Sequence, residues 1–161
     1  MSHANVKKYF ENIGLAERVV IRDSIGDTVE HASIAIGCKP AHIAKTMSFI
    51  QNENPLLIVT AGDAKIDNRK YKDFFKQRPK MVPADDLDTL IGHVAGAVTP
   101  FGINKNVKVY LDVSLKRFEI VHTSGGSINS TVTLSVDELE KHSQPISWID
   151  VCKGWYINDT N

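Results

Sequence analysis

Apolar positions recur at helical intervals in several stretches of the chain. Between residues 2 and 13 they predict a short amphipathic helix that ends near Gly14. A second helix is predicted from Val29 to Ile36, since Thr28 can cap its first turn and Gly37 can end it. Further helices are predicted from Lys65 to Gln77, from Pro83, and from Asp137 behind the capping residue Ser135.

Short β-branched or alternating runs predict strands between these helices. Residues 43–50 and 55–61 flank the polar turn 51–54, which predicts a β-hairpin. The other predicted strands span residues 18–22, 107–113, 118–123 and 131–134. Because strands and short helices are intermixed without strict βαβ alternation, we expect an α+β (mixed α/β) single compact domain and not a Rossmann fold.

The composition is that of one folded domain. Of the 161 residues, 42% are hydrophobic and 24% are charged, which excludes a disordered tail, a collagen-like fibre or a coiled coil. We assign residues 1–157 to a single domain and expect residues 158–161 to be a frayed tail. No signal-peptide stretch and no apolar run of about 18 residues is present, so we expect a cytoplasmic protein without a membrane partner.

The net charge of zero conceals a segregation of charge along the chain. Residues 1–80 carry 13 basic and 9 acidic side chains, whereas residues 81–161 carry 6 and 10, so the two halves hold +4 and −4. The zero total argues against a protein that wraps duplex nucleic acid. The basic segment Lys65–Lys80 is either a solvated helix face or a surface for phosphates, with Tyr71 available for stacking.

Lys45 is the most informative single position. In a strand it shares one face with Ile43, Met47 and Phe49, which makes that face apolar apart from the lysine. An ammonium group in apolar surroundings costs several kcal/mol unless it meets an anion or reaches water. Lys45 therefore either extends its ammonium to solvent along a packed stem or is held to bind an anion.

Two glycine-rich segments can present backbone N–H groups to a ligand. Residues 96–102 and 123–127 contain small residues and glycines, so no long side chain blocks the approach of an anionic or carbonyl oxygen. Both segments also fit ordinary connections between elements. Neither has the spacing of a P-loop or of a dinucleotide-binding loop.

Metal and nucleophile motifs are absent from the sequence. The six histidines never fall at metal-ligand spacing, and Cys38 and Cys152 form no CxxC pair, so we expect no metal and no cofactor. No GxSxG elbow is present. A dispersed triad built on Ser124 with His93 or His122 stays open as an alternative.

Together these segments resemble the YbaK-like and prolyl-tRNA synthetase-associated editing domains, which hydrolyse mischarged aminoacyl-tRNA. The resemblance covers most of the chain. Residues 28–32 lead through Gly37 to residues 43–46, which are similar to the helix and the hallmark lysine of the family. Residues 96–100 match its GxxxP loop, and residues 123–126 are similar to its small-residue turn before the last strand.

The resemblance implies a barrel-like mixed sheet surrounded by short helices, with a pocket for the CCA end of an aminoacyl-tRNA. Lys45 would hold the phosphate or ribose of the terminal adenosine, and backbone N–H groups of residues 96–99 would stabilise the oxyanion. The implied catalytic residues are Lys45, Gly96, Ala97, Val98, Thr99 and Pro100. The implied substrate-binding residues are His31, Thr46, Ser124, Gly125, Gly126 and Thr131. The implied contacts to the tRNA backbone are Lys65, Arg69, Lys70 and Lys72.

We therefore expect a free-standing deacylase that removes alanine, cysteine, serine or threonine from mischarged tRNA, with tRNA for proline as the expected carrier. An aminoacyl-tRNA synthetase is a candidate second partner. Where some family members have a basic residue, a glycine and an acidic residue after the turn, this chain has Ser127, Ile128, Asn129 and then Thr131, so the amino acid stays open. A non-catalytic module that binds a tRNA end or a synthetase, and an unrelated serine hydrolase, are the alternatives.

Overall fold

The computed structural model describes residues 2–23 and 28–155. The α-helices are α1 (Ser2–Asn12), α2 (Val29–Ile36), α3 (Asn68–Phe75), α4 (Leu87–Leu90) and α5 (Val136–Ser143). Short 3-10 turns lie at Ala16–Arg18, Pro40–His42, Ala84–Asp86 and Val113–Arg117. The predicted turn 24–27 and the predicted frayed tail 158–161 lie outside the described residues.

The strands form three sheets in the described part of the chain. They are β1 (Val19–Ile21), β2 (Ala44–Gln51), β3 (Asn54–Ala61), β4 (Lys65–Ile66), β5 (Lys108–Asp112), β6 (Ile120–Ser124), β7 (Ser130–Ser135), β8 (Ser147–Ile149) and β9 (Cys152–Lys153). The sheet orders are β2-β3-β5-β8, β1-β7-β6 and β4-β9. Helices and strands are mixed in one domain, which confirms the predicted α+β class.

The central sheet is mixed, as predicted. The hairpin β2–β3 is antiparallel, whereas β3 pairs with β5 and β5 with β8 in parallel. The two residues that join β2 to β3, Asn52 and Glu53, both have positive φ (50° and 67°), as a tight hairpin turn requires. Residues 55–61 of β3 are all buried, so this strand forms the centre of the core.

The second sheet meets the central sheet at one point. Ile43, immediately before β2, forms a parallel bridge with His122 of β6. This bridge brings the first residues of β2 beside the carboxyl end of β6. The junction also creates the hollow in which Lys45 lies.

Local capping explains why two of the predicted helices form where they do. Thr28 accepts a hydrogen bond from the His31 N–H, and Gly37 ends α2 with φ of 83°. Ser135 and Glu138 form a reciprocal capping box at the start of α5. Both helices thus begin at the predicted caps.

The basic segment departs from its predicted helix. Only residues 68–75 are helical, because the Asp67 carboxylate caps the helix by accepting from the N–H groups of Arg69 and Lys70. Lys65 and Ile66 instead form β4, which pairs with β9 near the end of the chain. Apolar periodicity could not reveal this pairing, because the partner strand lies more than 80 residues away and spans two residues.

Tyr71 does not offer a stacking surface, so this expectation was wrong. Its ring is fully buried and contacts the rings of Phe49 and Phe75, at centroid distances of 5.1 and 4.5 Å. Burial raises the pKa of Tyr71 to about 12. The residue belongs to the core, whose burial of apolar surface dominates the stability of the domain.

None of the helices in residues 2–23 and 28–155 has the length and apolar character needed to span a bilayer.

A matched pair of substitutions tests the assigned core. Ile58 of β3 has 0% exposure, and Ile34 of α2 is 79% exposed. We expect Ile58→Ala to lower the free energy of unfolding by about 2–5 kcal/mol, because it leaves a cavity in the core against the face of β3. Ile34→Ala should change it by no more than about 0.5 kcal/mol. Urea unfolding measures both, and equal losses would contradict the assigned core.

Candidate active site

A cavity of about 250 Å³ opens at the junction of the two sheets. Its walls come from α2, the start of β2, the loop before β5, and the strands β6 and β7 with their connecting turn. The lining residues are Thr28, Val29, Ala32, Ile36, Ile43, Ala44, Lys45, Thr46, Gly96, Val98, His122, Thr123, Ser124, Ser127, Ile128, Ser130 and Thr131. Segments that are distant in sequence therefore meet at one site.

Lys45 supplies a positive charge to this cavity. The residue lies opposite Thr60 of β3 and is half-buried. Burial lowers the pKa of its ammonium group, and the charge of Lys65 lowers it further, while Asp63 and Glu30 act in the opposite direction. The ion pairs in the described part of the chain do not include Lys45. A partly desolvated cation without an ion-pair partner is suited to bind an anionic group.

Only some residues of the glycine loop at 96–100 line the cavity. Gly96, with φ of 82°, and Val98 line the cavity, whereas Ala97, Thr99 and Pro100 are buried behind them. The Ala97 N–H donates to the Val94 carbonyl at 3.0 Å. In this conformation it is not available to a ligand, so the loop's remaining N–H groups are those of Gly96, Val98 and Thr99.

Three of the six predicted substrate-binding residues line the cavity, namely Thr46, Ser124 and Thr131. His31 lies on the exposed side of α2 and contributes its backbone N–H to the Thr28 cap. Gly125 and Gly126 are buried beneath the turn. A Cβ atom on Gly125 would lie 2.6 Å from the Ser130 hydroxyl oxygen, so packing accounts for a glycine there.

Several cavity-lining residues of β6 and the turn after it are not among the predicted substrate-binding residues. Among them, the hydroxyl of Thr123, like that of Thr46, is buried and has no hydrogen-bond partner among the described residues. Buried hydroxyls normally have partners, so these two groups favour a ligand that carries polar atoms of its own. The alternation of residues along the predicted strand 118–123 could have indicated Thr123 but not the cavity it faces.

The hydrogen bonds of the site do not assemble a serine triad. Ser124 accepts from the Gly126 N–H at 3.1 Å. His93 is fully buried, with Nδ1 2.5 Å from the Ser2 hydroxyl and Nε2 2.7 Å from the Phe101 carbonyl oxygen. His122 Nδ1 bonds instead to the Thr133 hydroxyl. Among the described residues, no hydrogen bond joins Ser124 to either histidine.

Helix α1 holds both glycine-rich segments in place. Ser2 bonds to His93, three residues before Gly96, and His3 Nδ1 donates to the Gly125 carbonyl at 2.8 Å. A Cβ atom on Gly126 would lie 2.8 Å from the Ser2 carbonyl oxygen, which shows how closely helix and turn approach. The start of α1 therefore fixes the positions of two walls of the cavity relative to each other.

The predicted backbone-contact residues differ in their surroundings. Lys65, Arg69 and Lys72 are exposed. The ammonium of Lys70 is instead 3.1 Å from Asp150 and 2.9 Å from the Cys152 carbonyl oxygen, so it ties α3 to the segment around β9.

The cavity thus brings together a half-buried cation, a glycine-rich loop and several hydroxyls, a combination suited to a small ligand with anionic and polar groups. Comparison with known proteins identifies the family to which a protein with this fold and cavity belongs. Residues 24–142 match the aminoacyl-tRNA editing domain, and the chain belongs to this family. Its enzymes hydrolyse the ester of aminoacyl-tRNA, which confirms the predicted resemblance and the hydrolase class.

Two curated relatives and one solved structure illustrate the similarity. The chain is 40% identical to the uncharacterized protein YwhH of Bacillus subtilis (strain 168), over 96% of this chain and 99% of that protein. It is 22% identical to the "Putative Cys-tRNA(Pro)/Cys-tRNA(Cys) deacylase EbsC" of Enterococcus faecalis, over 70% of each. A crystal structure described as a "putative trans-editing enzyme for prolyl tRNA synthetase" shares the fold, with a TM-score of 0.85, 23% identity, and coverage of 95% and 98%.

The buried His93 predicts a dependence of stability on pH. Burial lowers its pKa from the ordinary 6.5, although the bond to Phe101 acts in the opposite direction. At pH values just below 6.5, His93 is therefore protonated to a larger extent in the unfolded chain than in the folded chain. The contribution is fully present above pH 6.5 and is lost as pH falls below that value.

We expect His93→Gln to make the loss of stability between pH 6.5 and 5 shallower, since glutamine does not titrate. His31→Gln, at an exposed histidine, should keep the wild-type profile. Urea unfolding at a series of pH values measures both. The assignment is wrong if the two variants lose stability with the same slope.

Proposed function

We propose that the protein is a free-standing, trans-acting deacylase that hydrolyses the ester of mischarged tRNA for proline carrying a small wrong amino acid. The observation that carries this proposal is Lys45, a half-buried cation without an ion-pair partner in the described chain, facing a cavity walled by Gly96 and Val98. The names of the relative EbsC and of the matched trans-editing structure agree with it. Charged tRNA as substrate places the activity in the cytoplasm.

Lys45 binds the phosphate or ribose of the terminal adenosine. An ammonium group that is already partly desolvated gains more from a phosphate than a fully hydrated one does, because less water has to be displaced on binding. The group is held by a strand of the central sheet, so it is positioned before the substrate arrives. This arrangement places the ester beside the Gly96 loop.

The reaction requires an oxyanion site and a water molecule. The water oxygen bonds to the ester carbonyl carbon, and the bond from that carbon to the ribose oxygen then breaks. The ribose oxygen takes the proton that the water gives up, and the free amino acid leaves. N–H groups of Gly96, Val98 and Thr99 stabilise the negative charge on the carbonyl oxygen, an effect worth about 3–4 kcal/mol for one such donor. The tRNA hydroxyl next to the ester helps to orient the water.

The cavity limits the amino acid to a small one. Its volume of about 250 Å³ has to hold the aminoacyl group and part of the ribose. The lining includes the apolar residues Val29, Ile36 and Ile43 as well as hydroxyls of β6 and β7. Alanine, cysteine, serine and threonine all fit this description. A pocket separates such small groups by only about 1–3 kcal/mol.

A substitution at Lys45 tests the proposal. We expect Lys45→Ala to lower kcat/KM for ester hydrolysis by about 100-fold or more while the protein stays folded, because the positioning charge is lost. The matched control is Lys108→Ala, at the far end of the central sheet, which should keep wild-type activity. The assay measures ester loss from tRNA for proline charged with alanine, cysteine, serine, threonine or proline.

This assay, a tRNA-binding measurement and a labelling experiment decide between the candidate functions. Full activity of folded Lys45→Ala would contradict the proposed role of the lysine. Binding of tRNA without hydrolysis of any charged species would favour the non-catalytic module that captures a tRNA end or a synthetase. Labelling of Ser124 by a fluorophosphonate would favour a serine hydrolase.

A further inference from the structure

The ribbon formed by β4 and β9 carries two lysines directly opposite each other. In its register Lys65 pairs with Lys153, and Ile66 pairs with Cys152. Cross-strand partners project from the same face of a sheet. Cys152 is fully buried and Ile66 packs against the core, whereas both lysines are exposed. The outer face of this ribbon therefore presents two ammonium groups to solvent.

This arrangement is unfavourable for the protein alone, because like charges directly opposite in a sheet repel each other. The ion pairs of the described residues are Arg18–Glu138, Lys70–Asp150 and Arg117–Asp63, and none includes Lys65 or Lys153. Asp67 feels the charge of Lys153, but its carboxylate oxygen accepts the two capping hydrogen bonds of α3. An anion between the two lysines would remove their repulsion.

The ribbon lies next to the candidate active site. The turn from β3 to β4 is pressed against the cavity wall, since a Cβ atom on Gly62 would lie 2.0 Å from the Pro40 carbonyl oxygen and 2.8 Å from Cγ1 of Val29. Val29 lines the cavity. The charge of Lys65 also lowers the pKa of Lys45, which places the two ammonium groups within electrostatic reach. The lysine pair of the ribbon therefore lies near the positive charge that Lys45 supplies to the cavity.

We propose that Lys65 and Lys153 together bind a backbone phosphate of the tRNA acceptor end, the segment that leads to the nucleotide held at Lys45. This inference rests on the proposed function for the identity of the nucleic acid. Among the predicted phosphate contacts, Lys70 is left out, because its ammonium is bonded to Asp150 and to the Cys152 carbonyl oxygen. Lys153, which lies outside the basic segment of the sequence, takes its place as a proposed contact. Lys153 is found only through the strand register.

The double variant Lys65→Gln/Lys153→Gln tests the pair. We expect its affinity for uncharged tRNA to fall about fivefold or more at low salt, and the slope of log K against log salt to become shallower by about 1, because one phosphate contact is lost. In hydrolysis, KM should rise and kcat at saturating tRNA should stay within about twofold of wild type. Fluorescence anisotropy and ester-release assays measure these quantities.

Two further variants serve as controls. Lys105→Gln/Lys108→Gln removes the same charge from exposed lysines at the other end of the central sheet, since Lys108 pairs with Leu56 and Lys45 pairs with Thr60. It should keep wild-type affinity and salt slope. Lys65→Arg/Lys153→Arg should also bind as wild type, because it keeps both charges. Far-UV circular dichroism and urea unfolding check that all three fold.

A substrate without phosphates separates this inference from the proposed function. The aminoacyl ester of adenosine should be hydrolysed equally by wild type and by the Lys65→Gln/Lys153→Gln variant. If wild type hydrolyses no ester, the proposed function fails, while the binding measurements with uncharged tRNA still test the pair. Equal weakening by the ribbon and control variants, or a salt slope unchanged by the ribbon variant, would overturn the inference.

Discussion

Lys45 takes its position in the candidate site from strand β3, which is hydrogen-bonded along both edges and buried from Pro55 to Ala61. One edge holds β2 and so sets the depth of Lys45 in the cavity. The end of β3 leads through Gly62 into the β4–β9 ribbon. A strand enclosed in this way cannot slip without breaking two ladders of hydrogen bonds at once. Core packing therefore fixes the position of Lys45, whereas α1 positions the two glycine-rich segments.

The contrast between Lys45 and Arg117 shows how the fold keeps one charge available. Arg117 donates to both oxygens of the Asp63 carboxylate, at 2.6 and 2.9 Å, and its guanidinium lies between the rings of Phe118 and Trp155. A bidentate pair of this kind is strong and directional. Asp63, like Glu30, raises the pKa of Lys45, but its carboxylate pairs with Arg117 and not with the lysine. Lys45 therefore remains a partly buried cation without an ion-pair partner among the described residues, which is an unfavourable state for the protein alone.

Features set by neighbouring residues could be predicted from the sequence, and features set by distant ones could not. The caps at Thr28 and Ser135 and the strand around Lys45 depend on local hydrogen bonds and alternation, and all three lie where expected. Tyr71 matched the helical spacing but turned into the core, because its burial depends on the strand beneath it. Lys153 carried no local signal, since its importance comes only from its register with β4.

The first helix belongs to the part of the chain that shapes the candidate active site. The family match begins at residue 24, yet α1 lies before it and contacts both glycine-rich segments through Ser2 and His3. The piece of sequence that identifies the family is consequently smaller than the piece that shapes its active site here. Fraying at the start of α1 would release two walls of the cavity together, so local order at one end of the chain and the form of the pocket are thermodynamically coupled.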